Sequence, residues 1–291
     1  MKGVLNLLKP PGMTSHDAVS VIRRLTGIRK IGHTGTLDPG AAGVLPLCIG
    51  QATRVAEYVL EMDKIYRAEL HLGVATDTED AAGKVIEEKA VPMLNFSDVE
   101  KVMAGFVGKR MQTPPMYSAL RVKGKKLYEI ARQGETVERQ PRLVQFYQLQ
   151  LLQLRGNKIL FDVACSRGTY IRTLCRELAA ALGTVGHMSF LLRLGVGPYT
   201  IANSLTIEEC RLLQAESKLP DFLQPLDTAL ISLPYILISA EEAQQLKYGR
   251  WIKLTKLPEE GTLVRVYAPE QQLVAVAQIE KNYVRPRKVF T

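Results

Sequence analysis

Two runs of alternating apolar and polar residues, 143–155 and 158–166, are separated only by Gly156 and Asn157. A Gly-Asn pair between strand-like runs reverses the chain within one turn, so this stretch commits the fold to an antiparallel hairpin. A third run has the same period: Tyr66, Ala68, Leu70 and Leu72 alternate with Ile65, Arg67, Glu69 and His71, as in a strand with one buried face. Helical spacing appears between these runs. Thr14 and Ser15 offer an N-cap, Asp17 completes a capping box, and Ala18, Ile22 and Leu25 recur on one face up to Gly27. Ser97 to Glu100 starts a second capped helix, and residues 125–132 form a third that stops at Gly134. Ile171, Leu174, Cys175, Leu178 and Leu182 line one face of a fourth, which ends at Gly183. The sequence therefore predicts an α+β fold, with a central mixed, mainly antiparallel sheet flanked by helices.

An irregular stretch near Leu233-Pro234 divides the chain into residues 1–232 and 233–291. Beyond it, Ser239-Ala240-Glu241-Glu242 restarts a capped helix, and 251–254, 262–267 and 273–280 read as short strands between Pro and Gly turns. A β-rich unit of about sixty residues needs a docking surface or an unusually tight core. No apolar run approaches the ~20 residues of a membrane span. A cytoplasmic monomer without membrane contact is expected. Cys48, Cys165, Cys175 and Cys210 have no C-x-x-C spacing and the four histidines lie far apart, so buried thiols are expected and no metal site.

The net charge of +9 is unevenly spread. Residues 109–144 hold nine Lys and Arg, among them Arg121, Lys123, Lys125, Lys126 and Arg142, against three Glu. The last eleven residues hold Lys281, Arg285, Arg287 and Lys288 and no acid. Such clusters suit phosphate contacts and counterion release, although a solubilising face has the same composition.

No P-loop, dinucleotide fingerprint, serine nucleophile elbow or zinc-deaminase signature occurs. What stands out is Asp38, in the segment Gly32-His33-Thr34-Gly35-Thr36-Leu37-Asp38-Pro39-Gly40, where three glycines and a proline disfavour helix and strand and predict an ordered loop. Alone, Asp38 could be an Asx turn or a helix cap. Tyr170 and Arg172 lie at a strand-to-helix transition, where side chains project into clefts. Taken singly, Arg172 could pair with any surface acid and Tyr66 could fill the core.

Five segments occur in order: Lys9-Pro10-Pro11-Gly12-Met13-Thr14-Ser15, the loop carrying Asp38, Tyr66, Pro114-Pro115-Met116-Tyr117-Ser118-Ala119, and Gly168-Thr169-Tyr170-Ile171-Arg172. Together they resemble the bacterial TruB-type tRNA pseudouridine synthases along the whole chain. Residues 233–291 resemble a diverged PUA module, an RNA-binding unit. Ala42 and Arg167 depart from frequent family choices, and neither is a reacting group. The resemblance implies a pseudouridine synthase catalytic domain over 1–232, with an RNA-binding insertion at about 109–144. It implies that uridine 55 in the T loop of tRNA is flipped out and isomerised without a cofactor or metal. Asp38 would be the nucleophile, Arg172 its ionic partner, and Tyr66 a stacking residue that assists C5 proton removal. His33 would fill the vacated stack. Asp80, Tyr170, Lys9, Arg121, Lys123, Lys125, Lys126 and Arg142 would contact the RNA. A tRNA-folding chaperone role is also implied. Because Lys9-Pro10 comes so early, a stand-alone enzyme is expected rather than a guide-RNA-dependent synthase; a purely RNA-binding protein would have no need of Asp38, Tyr66 and Arg172 together.

Overall fold

The computed structural model describes the chain except for residues 119, 123, 255 and 291 and the side chains of Arg121, Lys126 and Arg132. Strand β1 (Gly3–Lys9) leads through α1 (Ser15–Thr26) to β2 (Ile31–His33) and β3 (Ala42–Ile49). A short α2 (Ala56–Glu61) precedes β4 (Lys64–Leu72) and a small hairpin of β5 (Val74–Thr76) and β6 (Val85–Glu88). Next come α3 (Phe96–Ala104), β7 (Gly108–Gln112), β8 (Arg121–Val122), β9 (Lys125–Lys126) and α4 (Leu127–Arg132). The long hairpin of β10 (Arg142–Arg155) and β11 (Lys158–Cys165) is followed by α5 (Ile171–Ala181), β12 (Gly186–Val196), β13 (Tyr199–Thr200) and α6 (Ile207–Ala215). The chain closes with β14 (Tyr235–Leu237), α7 (Ala240–Lys247), β15 (Ile252–Lys253), β16 (Leu263–Ala268), β17 (Gln272–Glu280) and β18 (Tyr283–Val289).

One sheet runs β1-β3-β12-β4-β11-β10-β7, with β2 on β3 and β13 on β12. Among the described residues its pairs are antiparallel except β12 with β3, which run parallel through Leu192–Ala42 and Arg193–Gly43. It is the mixed, mainly antiparallel sheet that the sequence predicts. The alternation in β4 works as expected: Tyr66, Ala68, Leu70 and Leu72 are buried, and they join Val144, Phe146, Phe161 and Val163 in one core under α3 and α5. The Gly156-Asn157 turn links β10 to β11 with Gly156 at φ 56°, a conformation glycine adopts without penalty. Among the described residues no helix is long and apolar enough to cross a membrane.

Helix α1 begins and ends where its sequence signals lie. Thr14 accepts from the Asp17 N–H at 3.0 Å, Asp17 accepts from the Thr14 N–H at 2.9 Å, and Gly27 closes the helix at φ 71°. Elsewhere three expectations shift. The box that caps α3 is Asn95 with Asp98, two residues before the expected Ser97, because the Asn95 side chain supplies an equivalent acceptor earlier in the chain. Lys125 and Lys126 belong to a strand rather than to a helix: Gly124, at φ 85°, turns the chain so that Val122 pairs with Lys125, and helix starts only at Leu127. The loop carrying Asp38 begins after His33, because residues 31–33 pair with Leu47, Cys48 and Ile49 of β3.

A separate β-rich domain holds a sheet in the order β14-β16-β17-β18-β15. Two of its strands are unforeseen in the sequence: β14, at one edge, only three residues long and partly exposed, and β18, between β17 and β15, whose Pro286 and three basic residues mask any alternation. The domain docks through Val276 and Phe290, which share a core cluster with Val44, Val55, Val59 and Tyr199. An ion pair between Lys288 and Glu57 at 2.7 Å lies at this contact, and the Arg54 guanidinium lies over the Phe290 ring.

Candidate active site

Asp38 lies in the turn between β2 and β3, and its loop is held from below by backbone capture. Ser15 Oγ accepts from the Leu37 N–H at 2.8 Å and donates to the Leu37 carbonyl at 3.1 Å. Lys9, fully buried, donates to the carbonyls of Pro10, Met13 and Pro39. Arg193, also buried, donates to Val44 at 2.7 Å, Gly35 at 3.3 Å and Thr36 at 3.5 Å. Three polar side chains thus replace the regular ladder that a glycine-rich loop cannot form, which fixes the loop without helix or strand.

Arg172 is the second residue of α5 and reaches the same place from the opposite side. Its Nε lies 3.1 Å from Asp38 Oδ2 and its Nη2 3.4 Å from Oδ1, a two-pronged contact that sets the plane of the carboxylate. The remaining donors bind the carbonyls of Thr78 at 3.2 Å and Tyr117 at 2.8 Å, and Asp80 Oδ2 stands 3.7 Å away. The Arg172 side chain is 7% exposed and that of Asp38 35%, so the cation is sunk beneath a carboxylate that keeps an open edge. Burial pushes the Asp38 carboxyl above its usual range, and Asp80 pushes the same way; Arg172, Lys9 and Arg193 oppose them.

Tyr66 is buried in β4, directly across from Arg193 of β12. Burial raises the phenol above its ordinary value. Asp80 accepts from Thr78 Oγ1 at 2.6 Å and from the Ala82 N–H at 3.0 Å, so it shapes its own turn as well as facing Arg172. His33 is half-buried at the end of β2; its Nδ1 has no hydrogen-bond partner among the described residues, and burial, Arg193 and His16 lower its pKa. Tyr170 caps α5 at the edge of the site, with the Arg142 guanidinium over its ring at 4.7 Å.

The structure thus brings Asp38, Arg172 and Asp80 together, with Tyr66 within electrostatic reach of Asp38; His33 ends β2 just before the Asp38 loop, and Tyr170 stands two residues before Arg172. Two expected RNA contacts have other places. Lys9 is buried under the Asp38 loop, where burial lowers its pKa to about 8 and its ammonium is spent on backbone carbonyls. Arg142 is turned inward onto Tyr170 and the Gly168 carbonyl. Lys125 is exposed on β9, Arg121 and Lys126 are described only in their backbone, and Lys123 lies outside the described residues. Arg193 is the residue that the sequence reading missed. Its signal was a cation in phase with the buried positions Leu191 and Gly195 of β12, as Lys64 is in phase with Tyr66 in β4.

A half-open carboxylate oriented by a buried guanidinium is suited to nucleophilic attack. The fold is that of RNA-modifying enzymes. It aligns with a structure titled as an H/ACA RNP bound to a substrate RNA containing 2'-deoxyuridine, at 27% identity, TM-score 0.77, and coverage of 99% of this chain and 85% of the other. A Cbf5-Nop10-Gar1 complex aligns at 28% identity and TM-score 0.77, covering 99% and 85%. Residues 23–171 match the TruB family pseudouridylate synthase (N terminal domain), 172–231 the tRNA pseudouridylate synthase B C-terminal domain, and 234–290 the Pseudouridine synthase II TruB, C-terminal. The chain belongs to the TruB family of pseudouridine synthases. Relatives called tRNA pseudouridine synthase B include those of Caldanaerobacter subterraneus, 44% identical over 99% of both chains, and Alkaliphilus oremlandii, 44% identical over 98% of this chain and 92% of the other. That of Symbiobacterium thermophilum is 48% identical over 85% and 82%.

Proposed function

We propose that this protein converts uridine 55, in the T loop of tRNA, to pseudouridine, with residues 1–232 as the catalytic domain and 233–291 as an RNA-binding module. The observation that carries the reading is the two-pronged contact of Arg172 with a carboxylate that keeps one edge open. Isomerisation breaks the bond from ribose to N1 and joins C5 to the same sugar carbon; the proton lost from C5 is matched by one gained at N1, so the composition is unchanged. A carboxylate nucleophile divides that change into easier steps. Asp38 attacks, Arg172 holds its direction, and Tyr66 lies under the uracil and assists loss of the C5 proton. The target base must first leave its stack, at a cost of a few kcal/mol, and His33 fills the gap it leaves. Exposed cations of the 109–144 segment, Lys125 among them, meet phosphates and set register. The relatives' shared name supports tRNA as the substrate class, and resemblance supports the T loop.

Tritium release from tRNA labelled at C5 of uridine tests this reading. Release by the parent protein is expected, with none from Asp38→Asn and none when uridine 55 is replaced by cytidine. Release that survives the cytidine replacement would move the target elsewhere in the tRNA. An Asp38→Asn protein that still binds and refolds tRNA would separate a chaperone activity from the isomerisation.

A further inference from the structure

Gln112, the last residue of β7, is 1% exposed, and its amide is spent on one residue of the active-site rim. Nε2 donates to the Tyr170 carbonyl at 3.0 Å, and Oε1 accepts from the Tyr170 N–H at 2.8 Å. The side chain thereby bonds both backbone groups of Tyr170, sharing the carbonyl with the Leu174 N–H of α5 at 3.1 Å. Tyr170 is the N-cap of α5 and has no side-chain cap bond of its own, and Gln112 is what holds its N–H. Arg172 follows two residues later.

A second observation places this contact at the root of the basic excursion. Gln112 pairs in register with Arg142, so the chain leaves the sheet at one and returns at the other. Arg142 grips the same turn from its other side, over the Tyr170 ring and on the Gly168 carbonyl. From within the excursion, the Tyr117 carbonyl accepts from Arg172 Nη2 at 2.8 Å. Both ends of the 113–141 segment therefore bear on the residues that introduce Arg172.

We infer that Gln112 is a positioning residue for the reaction: by holding both backbone groups of Tyr170 it fixes the first turn of α5 and aims the Arg172 guanidinium at Asp38. The inference rests on the reading of Asp38 and Arg172 as the reacting pair. A misplacement of about 1 Å at such a pair costs on the order of a hundredfold in rate, whereas a buried amide with only a packing role would change stability and leave kcat alone.

The test uses Gln112→Glu and Gln112→Leu in the full chain, with kcat and KM for tRNA measured from pH 5 to about 9.5 and thermal unfolding alongside. Burial raises the ionisation of the isosteric glutamate above the usual carboxylate range; once ionised it still accepts from the Tyr170 N–H but has no proton to donate to the carbonyl. Expected at the alkaline end is a fall in kcat of about 30- to 100-fold with KM changed less than about threefold. The ratio of Gln112→Glu to parent kcat should rise as pH falls, because protonation restores the donor; the ratio for Gln112→Leu should stay flat. A Gln112→Glu ratio that is low but independent of pH, or a kcat within about twofold of the parent at the alkaline end, overturns the proposal, and neither result needs the leucine variant to fold. Full activity in Arg172→Lys would instead overturn the reacting pair itself, whatever Gln112 does.

Discussion

At the scale of single residues, the site is a balance between burial and charge. Asp38 is drawn upward in pKa by desolvation while three buried or half-buried cations, Arg172, Lys9 and Arg193, pull it down. In the proposed reaction Asp38 attacks in its ionised form, so activity rises with pH through the raised value. The acid limb of kcat/KM, which reports the free enzyme, is expected above the ordinary carboxylate range, and Lys9→Met should move it further upward by removing one of the opposing cations. A limb at or below the ordinary carboxylate value would show that the cations outweigh burial. Arg172→Lys keeps the charge and loses the planar fork, and should lower kcat on the order of a hundredfold with little change in KM, as single-turnover kinetics would show. The sequence made Asp38 and Arg172 legible because motif and residue type coincide. It left Arg193 hidden, since a buried arginine on a strand has no local mark beyond its phase.

At the scale of elements, the loop carrying Asp38 is short of ladder bonds and long on specific contacts. It reaches β3 through Gly43, at φ 120°, where an added Cβ would stand 2.3 Å from the Arg193 carbonyl oxygen. No rotation of a side chain relieves a clash with backbone. Gly43→Ala should therefore lose about 1–3 kcal/mol in chemical unfolding and shift the parallel contact of β3 with β12, lowering kcat as well. Retention of both stability and rate would show that the two strands separate there freely. The α1 cap offers a contrast, since Thr14 and Asp17 are exposed surface partners. The capping box was read correctly from four residues because its bonds are local, while the α3 start and the β9 strand were misplaced. In both of those cases two equally good local signals competed, and the neighbouring turn decided between them.

Across the whole molecule, the small domain depends on its neighbour. Phe290 is 6% exposed and lies in a core cluster whose other members come mostly from the large domain. Phe290→Ala should cost about 3 kcal/mol and split a single thermal transition into two, the small domain melting first. One unchanged transition would mean that the ion pair and the Arg54 contact hold the domain without the ring. Docking of this kind could be anticipated from size alone, since about sixty residues rarely bury enough surface unaided. Which residues dock could not, because Val276 and Phe290 look no different in the sequence from the other apolar residues of the same sheet.

By itself, the sequence determined the α+β class, the long hairpin, the capped α1, the buried face of β4 and the identity of the acid and the arginine. Each of these is written in residues close together in the chain or in a motif of fixed spacing. Tertiary structure alone decided that Asp38 and Arg172, 134 positions apart, meet at 3.1 Å. It also decided that Lys9 and Arg193 lie buried under the loop, and that Gln112 holds Tyr170. Those outcomes depend on which strands become neighbours, and strand order is set by the burial of a whole sheet rather than by any local run of residues.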